Sequence, residues 1–160
     1  ARRGAHHLRK PRGRPGATRV SALDRQVLSE RVSAVERHLA RVRAMLPPSP
    51  DGFEPATDAS DAVVLHLWQA VQIVVDLAVS LSVRLNLGSP SSYRDAFERL
   101  QRAGKLDPDL TERLARAAGF RNVVAHAYES LDMKRVYSAA REGPADLRRF
   151  LAVARDLLPE

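Results

Sequence analysis

Cysteine is missing from this 160-residue chain. That excludes disulfides and thiolate metal sites, and it removes the usual compositional sign of secretion. No apolar run is expected to reach the length of a membrane span. The N-terminus is too rich in arginine and too poor in apolar side chains for a signal peptide. A cytoplasmic protein with no membrane partner is therefore the expectation. No stretch alternates apolar and polar residues with period two, so the pattern of a half-buried strand is absent. There is no internal repeat, and no pair of histidines or carboxylates has the spacing of a metal site. The chain opens on Ala rather than Met, as a processed product would.

Acid is also missing, but only locally. Residues 1 to 19 carry seven bases (Arg2, Arg3, Arg9, Lys10, Arg12, Arg14 and Arg19) and no Asp or Glu. The other 141 residues carry 19 bases and 19 acids, so the net charge of +7 belongs to the tail and the body is formally neutral. The high isoelectric point is therefore no argument that the folded body binds nucleic acid. With little apolar surface to offset chain entropy, residues 1 to 19 are expected to form a disordered basic tail. Residues 20 to 160 then make one domain, and 44% apolar residues suffice for a core.

What is present is helical periodicity. Ser21 and Asp24 suggest a capped start for a first helix. Leu28, Val32, Val35, Leu39, Val42 and Leu46 follow at spacings of three and four, and Pro47-Pro48 ends the run. A second helix is predicted from near Asp58 to about Asn86, with Asp61 in its first turn and Gly88 as its C-terminal cap. It is apolar on most sides and should be central. One polar line crosses it, through Gln72, Asp76 and Ser80. Ser92 and Asp95 open a short third helix closed by Gly104, and Asp107-Pro108 opens a fourth. Asp132 caps a short fifth helix, Gly143-Pro144 breaks the chain, and a last helix follows. The fold class is all-α, an up-and-down bundle of about five to six helices.

The chemistry concentrates in RNVVAHAY, residues 121 to 128. Asn122 and His126, four apart, share a helix face. Arg121 and His126, five apart, point about 140° from each other on a regular helix. Either the helix is irregular, or the groups converge across an interface, as a two-fold dimer would arrange. Tyr128 points with His126 only if the chain has left the helix, and a break is expected near 127 to 131. Arginine offers a permanent charge and a planar fork suited to phosphate, and histidine exchanges protons near neutral pH. That pair could cleave RNA with neither metal nor protein nucleophile, because the substrate's own 2′-hydroxyl can attack. The plain alternative is that Arg121 and His126 only bond the last helix carbonyls. Asp76 could be a buried partner for Arg121 in either case. His66 is read as a satisfied histidine, and Trp68, Tyr93 and Tyr137 as packing residues.

FRNVVAHAYESLD, together with AVQIVVDLAVSL, GSPSSYRDAFERLQRAGKL and the closing DLRRFL, resembles the HepT-like branch of the HEPN superfamily over about residues 58 to 155. The family motif is Arg, a polar residue, three further residues, His, any residue, Tyr; it maps onto Arg121, Asn122, His126 and Tyr128 without departure. The resemblance implies a homodimeric HEPN-type bundle with a metal-independent RNase centre at the dimer cleft, requiring no cofactor. Arg121 and His126 would be catalytic, with Asn122 and Asp76 supporting. It also implies a toxin paired with an antitoxin, a minimal nucleotidyltransferase of the MNT type, which would silence it by AMP transfer to Tyr128. HEPN domains also include non-catalytic partner modules, so a module that merely docks to such a nucleotidyltransferase is the alternative.

The tail departs from that family. Its KPRGRPG, residues 10 to 16, resembles an AT-hook that would insert Arg12 and Arg14 into a narrow minor groove, giving a DNA-tethered regulator. Nonspecific polyanion binding, or a misassigned start codon, are the competing accounts. Removing residues 1 to 19 should weaken nonspecific nucleic-acid binding and flatten its salt dependence, measured by titration at two ionic strengths. The melting temperature should barely move.

Overall fold

The computed structural model describes the backbone of residues 16–158 and the side chains of residues 24–158. Five α-helices make up these residues: α1 (Gly16–Met45), α2 (Asp58–Arg84), α3 (Tyr93–Arg102), α4 (Pro108–Ala127) and α5 (Met133–Leu157). Two 3₁₀ turns, Pro50–Gly52 and Tyr128–Ser130, complete the order. No strand occurs among the described residues. Arg12, Arg14 and the rest of 1–15 lie outside them.

α2 packs against each of the other four helices. Its apolar residues explain why: Val63, Val64, Leu67, Ala70, Val71, Val74, Val75, Ala78 and Leu81 are all buried. By length and composition alone α2 could cross a membrane, with a mean hydropathy of 1.8 over its most apolar window. The expectation that no apolar run reaches that length is thus corrected. α2 is the core helix of the bundle, and half of that window is buried within the chain. α1 lies antiparallel to it, tied by Asp24–Arg84 at 2.5 Å and by His38–His66. Leu28, Val35, Leu39 and Val42 of α1 are buried, which follows the heptad-like spacing. α3 and α5 meet through Phe97 and Phe150, packed edge to face with centroids 5.8 Å apart.

Most boundaries follow local chemistry. Thr57 caps α2 in a capping box with Ser60, Ser92 caps α3, Asp107 caps α4 ahead of Pro108, and Asp132 caps α5. Three expectations need correction. α1 already runs from Gly16, so Ser21 does not open it; the Ser21 side chain lies outside the described ones, and Asp24 serves Arg84 instead. α2 ends in a Schellman arrangement at Asn86, not Gly88. Asn86 takes φ +57°, its N–H donates to Val83 O, and the Leu87 N–H donates to Ser82 O at 2.9 Å. Gly88 has a different reason to be glycine. It sits at φ +87°, and a Cβ there would lie 2.7 Å from the Arg99 guanidinium, which donates to Leu87 O.

The third correction concerns Gly143-Pro144, which does not break α5. The buried stripe Val136, Tyr137, Ala140, Leu147, Phe150, Leu151 and Ala154 keeps its helical register across the pair. Packing holds both halves in line, although proline cannot donate to the carbonyl four residues back.

His38 and His66 face each other across α1 and α2, Nδ1 to Nδ1, at 3.0 Å. One ring must donate and the other accept, so full protonation of both breaks the bond. Burial, then the charges of His66 and Arg37, lower the His38 pKa. The unfolded chain therefore binds a proton at His38 more readily than the folded chain does. Stability should fall as pH drops through the ordinary imidazole range, about pH 7.5 to 5.5. His38→Gln should flatten that slope in urea titrations at the two pH values. Phe97→Ala should cost about 3–5 kcal/mol at neutral pH, read as a lower urea midpoint with an unchanged denaturant slope.

Candidate active site

The motif lies at the C-terminal end of α4, which stays helical through Ala127 before the 3₁₀ turn Tyr128–Ser130. The break expected between 127 and 131 is where the chain leaves the α-helix. Arg121 and His126 therefore stand on one regular helix, five residues apart, and do not converge within a single chain. Asn122 and His126 share a face, both exposed.

Arg121 is fixed by neutral groups. Its Nε donates to Gln72 Oε1, and its Nη1 donates to Asn122 Oδ1 at 3.0 Å. The guanidinium carbon lies 4.9 Å from the Tyr93 ring centroid and 5.9 Å from that of Trp68. Gln72 is in turn held by Asp76, whose Oδ1 accepts from Gln72 Nε2 at 2.9 Å. Asp76 thus stands one residue behind Arg121, and Gln72 makes the direct contact. No ion pair to Arg121 occurs among the described residues. An amide can orient a guanidinium while leaving its full charge available, whereas a paired carboxylate would neutralise it. Beside this group, a groove between α3 and α4 runs along Tyr93, Arg94, Gly119 and Asn122.

Tyr128 is 44% exposed, and its hydroxyl donates to Asp61 Oδ1 in the first turn of α2. That bond, with a smaller effect of burial, pushes the phenol pKa up to about 12. The pair lies on the wall of a cleft of about 190 Å³ that also includes Ser60, Val64 and Leu131. So α2 grips the motif twice: Gln72 holds Arg121, and Asp61 holds Tyr128.

Sequence reading placed Arg121, Asn122, His126 and Tyr128 on one segment and Asp76 on its neighbour. It missed Gln72 as the direct partner of Arg121, and three further partners of the motif. Trp68 and Tyr93, read as packing residues, flank the guanidinium, and Asp61, read only as a helix-dipole residue, holds Tyr128. The polar line Gln72–Asp76 was a usable signal for the first grip; nothing in the spacing announced the second. His66 is a satisfied histidine, as expected. Tyr137 is buried and donates to Pro47 O at 2.9 Å. Among the described residues no three His, Asp or Glu side chains cluster as metal ligands.

Comparison with known proteins bears on the family and the fold. The chain is 22% identical over 129 residues to the mRNA nuclease HepT of Shewanella oneidensis, covering 81% of this chain and 96% of that protein. Its fold superposes on a chain of a toxin–antitoxin solved with AMP-PNP at a TM-score of 0.75 and 21% identity, over 82% of this chain and 98% of the other. A tri-AMPylated Shewanella oneidensis HEPN toxin in complex with its MNT antitoxin matches at 0.74 and 22% identity, over 81% and 97%. At such identities the structural matches establish the all-helical HEPN fold. The family profile described as "Ribonuclease HepT-like" matches residues 35–154, most of the chain, and this protein belongs to that family.

Proposed function

We propose that this protein is a metal-independent RNase toxin whose active centre is completed by a second copy of the chain. The observation that carries the reading is the treatment of Arg121: rigidly held, flanked by two rings, and left without a carboxylate among the described residues. A charge kept ready in this way suits the pentavalent phosphate of an RNA transition state. His126 points elsewhere on the same regular helix, so one chain supplies the two functions on different sides. A two-fold axis at this face would set Arg121 of one copy against His126 of the other. Leu65 and Val123 are 50% and 47% exposed, apolar surface of the kind an interface between copies covers.

In that centre one His126 accepts the proton of a 2′-hydroxyl as its oxygen attacks the adjacent phosphorus. The second His126 gives a proton to the departing 5′-oxygen, and Arg121 stabilises the charge on the non-bridging oxygens. The products are a 2′,3′-cyclic phosphate and a 5′-hydroxyl. The partner is an MNT-type nucleotidyltransferase, which silences the toxin by transferring AMP to Tyr128. The similarity to an AMPylated HEPN toxin and the exposure of Tyr128 support this. The added phosphate and nucleoside would crowd the cleft that RNA must enter.

Purified protein should cleave single-stranded RNA in EDTA and leave cyclic phosphate ends. Arg121→Ala and His126→Ala should each lower the rate by about 10²- to 10⁴-fold with unchanged helical content. Gln72→Ala should cost about 10- to 100-fold, the worth of one hydrogen bond to a charged group. Parent-like cleavage by the first two variants would assign the nuclease to a contaminant and leave a docking module. Light scattering should give twice the 17.7 kDa chain mass. Adding excess His126→Ala chains to the parent protein should lower its activity well beyond dilution, because a mixed dimer has lost one of the two histidines the centre needs. A monomer in scattering, or activity that falls only with dilution on mixing, would sink the shared centre.

A further inference from the structure

The contact between Tyr128 and Asp61 belongs to neither the phosphate-handling group nor the core. It joins a hydroxyl on a 3₁₀ turn to a carboxylate 67 residues earlier in the chain, on the rim of an open cleft. Resting on the reading that Tyr128 accepts AMP, we propose that Asp61 is the residue that orients the Tyr128 hydroxyl and takes its proton during nucleotidyl transfer. The toxin would then carry part of the machinery for its own silencing.

The geometry has the parts this requires. A nucleophilic oxygen must be exposed, aimed and in contact with a base. Tyr128 is nearly half exposed, so a nucleotide can approach its oxygen. Thr57 and Ser60 secure the first turn of α2 through a capping box, which holds the Asp61 backbone in place. Asp61 accepts the only proton the hydroxyl has, which directs a lone pair of that oxygen away from the carboxylate. The same bond holds the free phenol protonated, as its raised pKa shows. Attack through a preformed phenolate is therefore disfavoured, and the proton has to leave as the new bond forms.

The step balances. Tyr128 Oη bonds to the α-phosphorus of ATP, and the bond from that phosphorus to the β-phosphate bridging oxygen breaks. Pyrophosphate leaves with the electron pair. As Oη acquires its second bond to a heavy atom its proton becomes acidic and passes to the Asp61 carboxylate, from which solvent removes it.

A mere clamp and a base differ in what Asp61→Asn does. The carboxamide oxygen still accepts the Tyr128 hydrogen bond but cannot accept the proton. With the cognate nucleotidyltransferase, ATP and Mg²⁺, single-turnover modification of the full chain should fall by about 10²- to 10⁴-fold near pH 7. The Asp61→Asn rate should then climb about tenfold per pH unit, because phenolate becomes the nucleophile. The parent rate should stay nearly flat from about pH 6.5 to 9, because its proton leaves to the carboxylate during attack. Asp61→Glu should recover part of the rate. The helical content and melting temperature of Asp61→Asn should match the parent, which verifies its fold. Equal rates and parallel pH profiles for parent and Asp61→Asn would overturn the role of Asp61 and leave AMP transfer intact. A parent protein that gains no AMP on Tyr128 by mass spectrometry would overturn the silencing reading itself, and this role with it.

Discussion

The site depends on a contact between two antiparallel helices of unlike character. α2 is apolar enough to be the centre of the bundle, yet it keeps a stripe of polar side chains on the side where the end of α4 lies. Gln72 and Asp61, about three turns apart on one side of α2, grip Arg121 and Tyr128. Arg121, Asn122, His126 and Tyr128 all lie between or at these two grips. If α2 slid by one turn, both bonds would be lost together. The core prevents this: Val63, Leu67, Val71, Val74 and Ala78 lock its register against four neighbouring helices.

The choice of partners for Arg121 matters as much as their positions. A buried carboxylate would have fixed the guanidinium strongly and consumed its charge. Here an amide pair and two aromatic rings do the fixing, and Asp76 acts at one remove by orienting Gln72. Carboxylate influence is thus transmitted as direction, with no matching loss of positive potential at the surface. In a body that is formally neutral, such an arrangement can attract a polyanion locally without a basic patch.

Much of this was legible before any coordinates. Helix caps at Ser92, Asp107 and Asp132 and the stop at Pro47-Pro48 are written in short local patterns. The motif's helical phase follows from counting residues. The misreadings share a cause. Gly143-Pro144 reads as a break because proline's cost is local and visible, whereas the buried stripe that carries α5 through it is spread over 19 residues, from Val136 to Ala154. Asn86 was overlooked as the cap of α2 because Gly88, the better-known cap residue, stands two places on and is needed for the approach of Arg99. Asp61–Tyr128 spans 67 residues, and long-range pairs of single polar groups leave no periodic trace.

The bond from Tyr128 to Asp61 also works as a mechanical fastening for the short turn that links α4 to α5. That turn has no side-chain cap of its own at its start. A hydroxyl can fasten it only while it keeps its proton. Any group joined covalently to the Tyr128 oxygen takes that proton's place, and the oxygen can no longer donate. The end of the motif would then be released from α2 while Arg121 stayed gripped by Gln72. A chemical mark a few atoms in size would in this way free one end of a helix and leave the rest of the bundle as it was.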